Sequence, residues 1–282
     1  MQVVNSGRFN GLRPEKLRAV NGEVESGTSE YLRGGVENFG DQRVDGPGPW
    51  TKSAAARGFG MDGRGAIRHN SVQASFIALH FPQAMSEPDS SQTLFWTKRW
   101  EQGKIPWDCG GIPPTLVAFL GRVPGPTRVL IPGCGSGYEV RAFHEVGHDV
   151  SAIEFSAPAV AHAREVLGPL GDRVIHGNFF KHDFAGNRYG LVYERGFLCS
   201  LPPERWTDYA ARMAALIPPG GKLAGLFLYG HEPEPPPFPL TDEIAAELLG
   251  RSFRRVYSES VEDSVPVYKG LERWQEWERL PG

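Results

Sequence analysis

The chain has 282 residues, 40% of them hydrophobic, with a formal net charge of −3, which suits one large domain or two small ones. That charge argues against a nucleic-acid partner, and no apolar run approaches the roughly 20 residues of a membrane span. The three cysteines stand singly, without the close pairs of a zinc site, which favours a reducing compartment. We therefore expect a cytoplasmic monomer with no metal, nucleic-acid or membrane partner.

The first part of the chain differs from the rest in its pattern. Over residues 1–88, Gly, Arg, Asn and Ser are scattered without helical or strand period, as in Arg57–Gly65. Such a segment buries too little apolar surface to offset the entropy of ordering it. We predict a disordered extension over residues 1–88 and a folded domain over residues 89–282. Met85 begins a polar stretch ahead of that domain, so a misplaced start site is a second interpretation, and both stay open.

Three tryptophans precede the first predicted strand. Trp96 and Trp100 share one face of a helix predicted over Thr93–Gln102, because residues four apart are neighbours on a helix, and Trp107 follows in a turn. Indole rings offer flat faces to an adenine or to a cation such as a sulfonium. The pattern therefore predicts an aromatic cover over a ligand site, and ordinary core packing is the other interpretation.

The central pattern is a strand, a glycine-rich loop, a helix and a second strand that ends on an acid. The apolar run Val129–Ile131 leads into Gly133-Cys-Gly-Ser-Gly137, and the second strand, Asp149–Glu154, ends on Glu154. That acid follows Gly133 at the roughly 20-residue spacing at which a carboxylate takes ribose hydroxyls. The pattern predicts a nucleoside-cofactor site, and the loop leaves NAD and S-adenosylmethionine both open.

The rest of the chain continues the alternation of strands and helices. Glu194 and Arg195 end the predicted fourth strand, where we expect a charged pair at the ligand crevice; a structural ion pair between Arg195 and a nearby acid is the alternative. We predict further helices over Thr115–Leu120, Tyr138–Val146, Pro203–Leu216 and Leu240–Leu249, and one that runs from an N-cap at Ser156 to Leu167. We predict further strands at Val174–Ile175, Lys222–Tyr229, Phe253–Val261 and Pro266–Glu278.

Three segments together resemble the thiopurine S-methyltransferase family, which includes halide and thiol methyltransferases. They are the Trp96 to Asp108 segment, Leu130–Gly135 and Ile153–Ser156. The resemblance covers roughly Trp96 to the C-terminus. It implies an α/β fold, namely a single Rossmann-like class I methyltransferase domain with a mostly parallel seven-stranded sheet and an antiparallel C-terminal hairpin. It also implies S-adenosylmethionine as the cofactor.

The resemblance also implies roles for particular residues. Arg195 matches the arginine of the family's acid-Arg-Gly motif at the active site, where halide-type members more often carry tyrosine, so halide is disfavoured as substrate. Asp108 either orients the acceptor or caps its own turn, and Pro236–Phe238 resembles a loop that borders the acceptor. The predicted catalytic residues are Arg195 and Asp108. The predicted cofactor-binding residues are Trp96, Trp100, Trp107, Gly133, Gly135, Glu154, Asn178, Phe179 and Arg195, with Asn178 and Phe179 at the adenine.

These inferences together predict an S-adenosylmethionine-dependent methyltransferase acting on a small-molecule sulfur nucleophile, similar to thiopurine and thiol S-methyltransferases. A thiol needs little help from a base, because a few per cent of it is already thiolate near neutral pH. Within the same family, a halide, thiocyanate, selenium or tellurium acceptor is the alternative. An NAD-binding oxidoreductase and a non-catalytic cofactor-binding module are alternatives of other classes.

Overall fold

The computed structural model describes residues 89–232, 234–268 and 270–282, so the predicted extension over residues 1–88 lies outside the described part. Six α-helices are described there: α1 Thr93–Glu101, α2 Pro114–Leu120, α3 Tyr138–Glu145, α4 Ala157–Leu167, α5 Trp206–Leu216 and α6 Asp242–Leu249. Seven strands accompany them: β1 Arg128–Pro132, β2 Asp149–Glu154, β3 Val174–His176, β4 Leu191–Arg195, β5 Lys222–Leu228, β6 Phe253–Ser260 and β7 Glu272–Arg279.

The strands form one seven-stranded sheet in the order β3-β2-β1-β4-β5-β7-β6. The pairings β1–β2, β1–β4, β2–β3 and β4–β5 are parallel, whereas β7 is antiparallel to both β5 and β6. The predicted fold class, a mostly parallel sheet completed by an antiparallel hairpin, is confirmed. Strand order reverses between β1 and β4, and the carboxyl ends of strands at such a point form a ligand crevice.

Helices cover both faces of the sheet because each strand presents apolar side chains alternately to the two faces. One face carries α2, α3 and α4, and its buried core includes Phe119, Phe143 and Ala163. The other face carries α5 and α6, and its buried core includes Tyr209 and Leu249. In the sequence Trp206, Tyr209, Met213 and Leu216 recur at three- and four-residue spacing, which predicts one apolar helix face, and all four are buried in α5.

The connection between β6 and β7 differs from the prediction. The predicted strand over Pro266–Glu278 is extended only from Glu272, and Pro266–Tyr268 is a short 3-10 helix. The buried Glu272 carboxylate explains the fold of this connection, because it accepts hydrogen bonds from the Ser264 hydroxyl at 2.7 Å and the Val265 backbone N–H at 3.1 Å. This connection brings Tyr268 to the ligand crevice.

No helix in the described part of the chain is long and apolar enough to cross a bilayer.

Candidate active site

A cavity of about 380 Å³ lies at the carboxyl ends of the parallel strands, within the range of roughly 300–1,000 Å³ of small-molecule sites. Every predicted site residue lines it: Trp96, Trp100, Trp107, Asp108, Gly133, Gly135, Glu154, Asn178, Phe179 and Arg195. The structure therefore brings together residues that span about a hundred positions of the chain. Their individual contacts decide what each can do there.

The loop after β1 needs glycine for conformation and for space. Gly133 and Gly135 have φ of +59° and +51°, in the left-handed region that glycine adopts at little cost. A Cβ at Gly133 would lie 2.6 Å from Cδ2 of Phe197, which is too close, whereas a Cβ at Gly135 would make an ordinary contact with the Trp100 ring at 3.6 Å. The absence of side chains thus keeps this wall of the cavity open to a ligand that approaches the backbone.

Glu154 ends β2 as a buried carboxylate, with 7% of the residue exposed. Its Oε1 accepts hydrogen bonds from the backbone N–H groups of Phe155 at 2.8 Å and Ser156 at 2.9 Å. Among the residues that the structure describes, Oε2 accepts from Gly135 N alone, at 3.3 Å. A carboxylate offers about four acceptor positions. Burial raises the pKa of Glu154, and these N–H donors counteract the shift. The carboxylate therefore retains acceptor capacity for hydroxyl groups such as those of a ribose.

These contacts also correct the prediction that Ser156 caps α4. Ser156 occupies the N-cap position, but its hydroxyl makes no capping bond and is buried without a hydrogen-bond partner in the described part of the chain. Its backbone N–H is bound by Glu154 instead.

The three predicted tryptophans lie half-buried along one side of the cavity. The rings of Trp96 and Trp107 meet edge to face with centroids 5.3 Å apart, and Trp96 Nε1 donates to the Ser90 carbonyl at 2.8 Å. Trp100 lies 5.5 Å from the His162 ring of α4. All three therefore line the cavity and belong to neither buried core, and their role as a cover over a ligand stays a prediction.

Asn178 and Phe179 follow β3 and differ in what they offer. The Asn178 Oδ1 accepts from the backbone N–H groups of Phe180 at 2.9 Å and Lys181 at 3.3 Å. Its carbonyl oxygen therefore serves the turn, and its NH₂ group is the part suited to an acceptor nitrogen of a ligand. Phe179 is 4% exposed and packs edge to face on Phe197 with centroids 5.2 Å apart, so it contributes an apolar edge.

Arg195 and Glu194 point to opposite faces of the sheet, which corrects the predicted charged pair. The Arg195 guanidinium lines the cavity and binds Glu139 of α3, with Nη1 to Oε1 at 3.1 Å. Burial lowers the pKa of Arg195, but Glu139, Tyr193 and Cys109 together raise it by more, so the net shift is upward. Glu194 instead accepts from the N–H groups of Phe197 at 2.8 Å and Leu198 at 3.0 Å. The alternative interpretation, a structural ion pair of Arg195 with a nearby acid, describes this arrangement.

Replacing Glu194 with glutamine is expected to flatten the pH dependence of stability. Burial raises the pKa of Glu194 from 4.5 to about 7, so between these values the folded protein holds a proton that the unfolded chain releases. This contribution to the free energy of unfolding is fully present below about pH 4.5 and is lost as pH rises through about 7. Glutamine keeps the shape of the side chain and a carbonyl oxygen for the N–H groups of Phe197 and Leu198. Its NH₂ group would donate to the Tyr209 hydroxyl oxygen, in place of the bond that this hydroxyl now donates to Glu194 at 2.8 Å.

Urea unfolding of both proteins at about pH 5 and about pH 8 measures this difference. The wild type should lose more stability over that interval than the variant does. Equal losses in the two proteins would contradict the buried, proton-binding role of Glu194.

Asp108 links the segment after α1 to the glycine-rich loop. Its Oδ1 accepts from Gly110 N at 2.7 Å, and its Oδ2 accepts from the Ser136 hydroxyl. The first contact is the predicted capping of its own turn. The second holds the tryptophan-bearing segment against the loop that follows β1, a contact that the sequence alone did not indicate.

Several cavity residues were not predicted from the sequence. The sequence predicts a helix around Glu139 but gives no sign of its partner, and it gives no sign of the contact of Cys109 with Arg195. The cavity wall also includes further polar and charged side chains, namely Arg99, Lys104, Ser136, Tyr138, Arg205 and Tyr268. The position of Glu139 immediately after the glycine-rich loop was the one available signal, because a side chain there lies near the carboxyl end of β1.

Comparison with known proteins adds a family to this geometry. A family model described as thiopurine S-methyltransferase (TPMT) matches residues 91–279. A probable thiol methyltransferase 2 of Arabidopsis thaliana is 29% identical over 222 residues, covering 76% of this chain and 95% of that protein. A thiopurine S-methyltransferase of Methylococcus capsulatus is 31% identical over 182 residues, covering 57% of this chain and 82% of that protein. Thiocyanate methyltransferase 1 of Arabidopsis thaliana is 29% identical over 202 residues, covering 66% of this chain and 84% of that protein.

Solved structures share the fold. The Burkholderia thailandensis 1,6-didemethyltoxoflavin-N1-methyltransferase, crystallised with 1,6-didemethyltoxoflavin and S-adenosylhomocysteine, superposes with a TM-score of 0.55 at 24% identity, over 67% of this chain and 87% of that one. A structure reported for the conversion of a disulfide bond into a thioacetal group during echinomycin biosynthesis gives 0.54 at 16% identity, over 67% and 93%.

Proposed function

The chain belongs to the thiopurine S-methyltransferase family and is an S-adenosylmethionine-dependent methyltransferase, and from this premise we propose that it methylates the sulfur of a small thiol. Family membership sets aside the NAD-binding oxidoreductase. The observation that carries the proposal is the Arg195 guanidinium, a cation held by Glu139 at 3.1 Å in the same cavity as Glu154. Such a cation favours the ionised, nucleophilic form of a bound thiol.

Each part of the cavity suits one part of the cofactor. In the proposed arrangement, Glu154 accepts hydrogen bonds from the ribose hydroxyls, and Gly133 and Gly135 leave room for the amino-acid end. Asn178 donates its amide hydrogens to the adenine, and Phe179 contacts its edge. The indoles of Trp96, Trp100 and Trp107, which line the cavity, cover the ligand. When bound, S-adenosylmethionine supplies a methyl group on a positively charged sulfur.

The work proposed for the protein is mainly placement. Holding two reactants in a near-attack geometry contributes roughly 7–11 kcal/mol to lowering a barrier. Arg195 holds the acceptor sulfur as an anion, and the tryptophan-bearing segment excludes water from the cavity. Asp108 acts through its bonds to Gly110 and Ser136, which fix that segment against the glycine-rich loop; it is a positioning residue in this scheme.

Thiocyanate is a second candidate acceptor. Relatives of this chain from Arabidopsis thaliana and Brassica oleracea are named thiocyanate methyltransferase 1. The Arg195 guanidinium in the cavity wall has a side chain only 15% exposed, and such a partly desolvated cation suits a small sulfur anion. Arg195 also disfavours halide as the acceptor, because halide-type members of the resembled family more often carry tyrosine at this position.

A methyl-transfer assay with methyl-labelled S-adenosylmethionine tests the acceptor class. Purified protein receives a thiopurine, an aromatic thiol, an aliphatic thiol, thiocyanate, selenide and iodide in turn. We expect turnover of the aromatic thiol and thiopurine, with thiocyanate next and iodide slowest. Turnover of iodide or selenide alone, in protein that binds S-adenosylhomocysteine normally, would overturn the proposal.

Three further predictions concern the protein as a whole. Cell fractionation tests the cytoplasmic location, and sedimentation tests the monomeric state. N-terminal sequencing of the native protein tests the assignment of residues 1–88 as an extension to one methyltransferase domain.

A further inference from the structure

Both terminal nitrogens of Arg195 already have protein partners. Nη1 binds the Glu139 carboxylate at 3.1 Å, and Nη2 donates to the sulfur of Cys109 at 3.1 Å. The Arg195 side chain is only 15% exposed and that of Glu139 only 7%. An acceptor that takes either of these two N–H groups must therefore displace the protein group that now holds it.

The two partners differ in how easily they are displaced. Removing Glu139 from Arg195 would leave a buried carboxylate without its cation, which is costly in a low-dielectric surrounding. Cys109 is an exposed residue, and its sulfur is a weak hydrogen-bond acceptor. The Nη2 side of Arg195 is therefore the side that an incoming ligand can take.

The cysteine is presented to Arg195 by a fixed segment. Its thiol donates to the Gly111 carbonyl at 2.8 Å, which leaves the sulfur lone pairs for the guanidinium. The preceding residue, Asp108, binds Gly110 N at 2.7 Å and the Ser136 hydroxyl. The Cys109 sulfur is thus hydrogen-bonded to the Arg195 cation in the candidate active site, and the chain belongs to a family named for sulfur methylation.

We propose that Cys109 is an internal competitor of the acceptor: its thiol holds the place on Arg195 Nη2 that the acceptor sulfur takes. This inference rests on the proposed function and names the subsite within it. An anionic sulfur displaces the thiol because hydrogen bonds to an ionised acceptor are roughly twice as strong as those between neutral groups. Cys109 therefore limits acceptor affinity and excludes ligands that bind Arg195 no better than a neutral thiol does.

Titration of thiocyanate into protein saturated with S-adenosylhomocysteine tests the subsite without requiring turnover. Cys109→Ala removes the competing sulfur, so thiocyanate should bind roughly threefold to tenfold more tightly than to the wild type, the loss of one competing hydrogen bond of ordinary strength. Cys109→Ser is the matched control, because its hydroxyl still accepts from Arg195 and should leave the affinity equal or weaker. S-adenosylhomocysteine should bind all three proteins equally.

Kinetics supply the second measurement. In Cys109→Ala, the KM for an aromatic thiol that is ionised at neutral pH should fall by the same factor with kcat unchanged. A thiocyanate affinity that is unchanged or weaker in Cys109→Ala, or undetectable in every protein, would overturn the competitor role. Wild-type protein that binds thiocyanate but methylates no thiol would instead overturn the proposed acceptor class, so the two failures are distinguishable.

Discussion

Replacing Arg195 with leucine is expected to lower the free energy of unfolding by about 3–5 kcal/mol, because one half of a buried ion pair is removed. The Glu139 carboxylate, 7% exposed, would remain without its cation at the N-terminal turn of α3. Urea unfolding at neutral pH measures the loss. The same change should lower kcat/KM for a thiol by roughly tenfold to a hundredfold, the worth of a hydrogen bond to a charged group.

A double variant separates these two effects. Arg195→Leu with Glu139→Leu removes both charges and fills the space with apolar atoms, which is often neutral for stability. It should therefore recover much of the lost stability while methyl transfer stays low. Equal stability of the single and double variants would show that the two charges are not coupled. Recovered activity in the double variant would show that Arg195 serves the fold and not the acceptor.

Replacing Glu154 with alanine is expected to weaken S-adenosylhomocysteine binding by about 1.5–3 kcal/mol, roughly tenfold to a hundredfold in Kd. The carboxylate keeps acceptor capacity on Oε2, whose protein partner is Gly135 N at the long distance of 3.3 Å. Ribose hydroxyls are the donors that would use it. Isothermal titration calorimetry measures the change directly.

Two control variants test the assignment of Glu154. Glutamine at this position retains a carbonyl oxygen for the backbone N–H groups of Phe155 and Ser156 but loses the charge, so its affinity should fall between those of the wild type and the alanine variant. Alanine at Glu165, an exposed residue of α4, should change nothing. Affinity of Glu154→Ala equal to the wild type would contradict the ribose assignment.

The features predicted well from the sequence are local ones. The loop from Gly133 to Gly137 could be predicted because a positive φ requires glycine there. Glu154 could be predicted because parallel strands end at one edge of a sheet. Burial of one face of α5 follows from residues three and four apart. Each of these inferences needs only a short stretch of chain and the geometry of one element.

The contacts that close the site join distant parts of the chain and could not be predicted. Cys109 reaches Arg195 across 86 positions, and Glu139 reaches it across 56. Neighbouring charges on a strand suggested a pair of Glu194 with Arg195, but strand alternation sends them to opposite faces. A sequence shows which residues carry charge, whereas the packing of helices on the sheet decides which charges meet.

The indole cover also provides an optical reporter of occupancy. Trp96, Trp100 and Trp107 are three of the seven tryptophans in the chain, and all three line the cavity. An adenine or a charged sulfur that arrives beside them alters the polarity around a large share of the fluorophores. Intrinsic emission should therefore follow the entry and departure of ligands in real time, without an added dye, and a stopped-flow trace would give both rate constants.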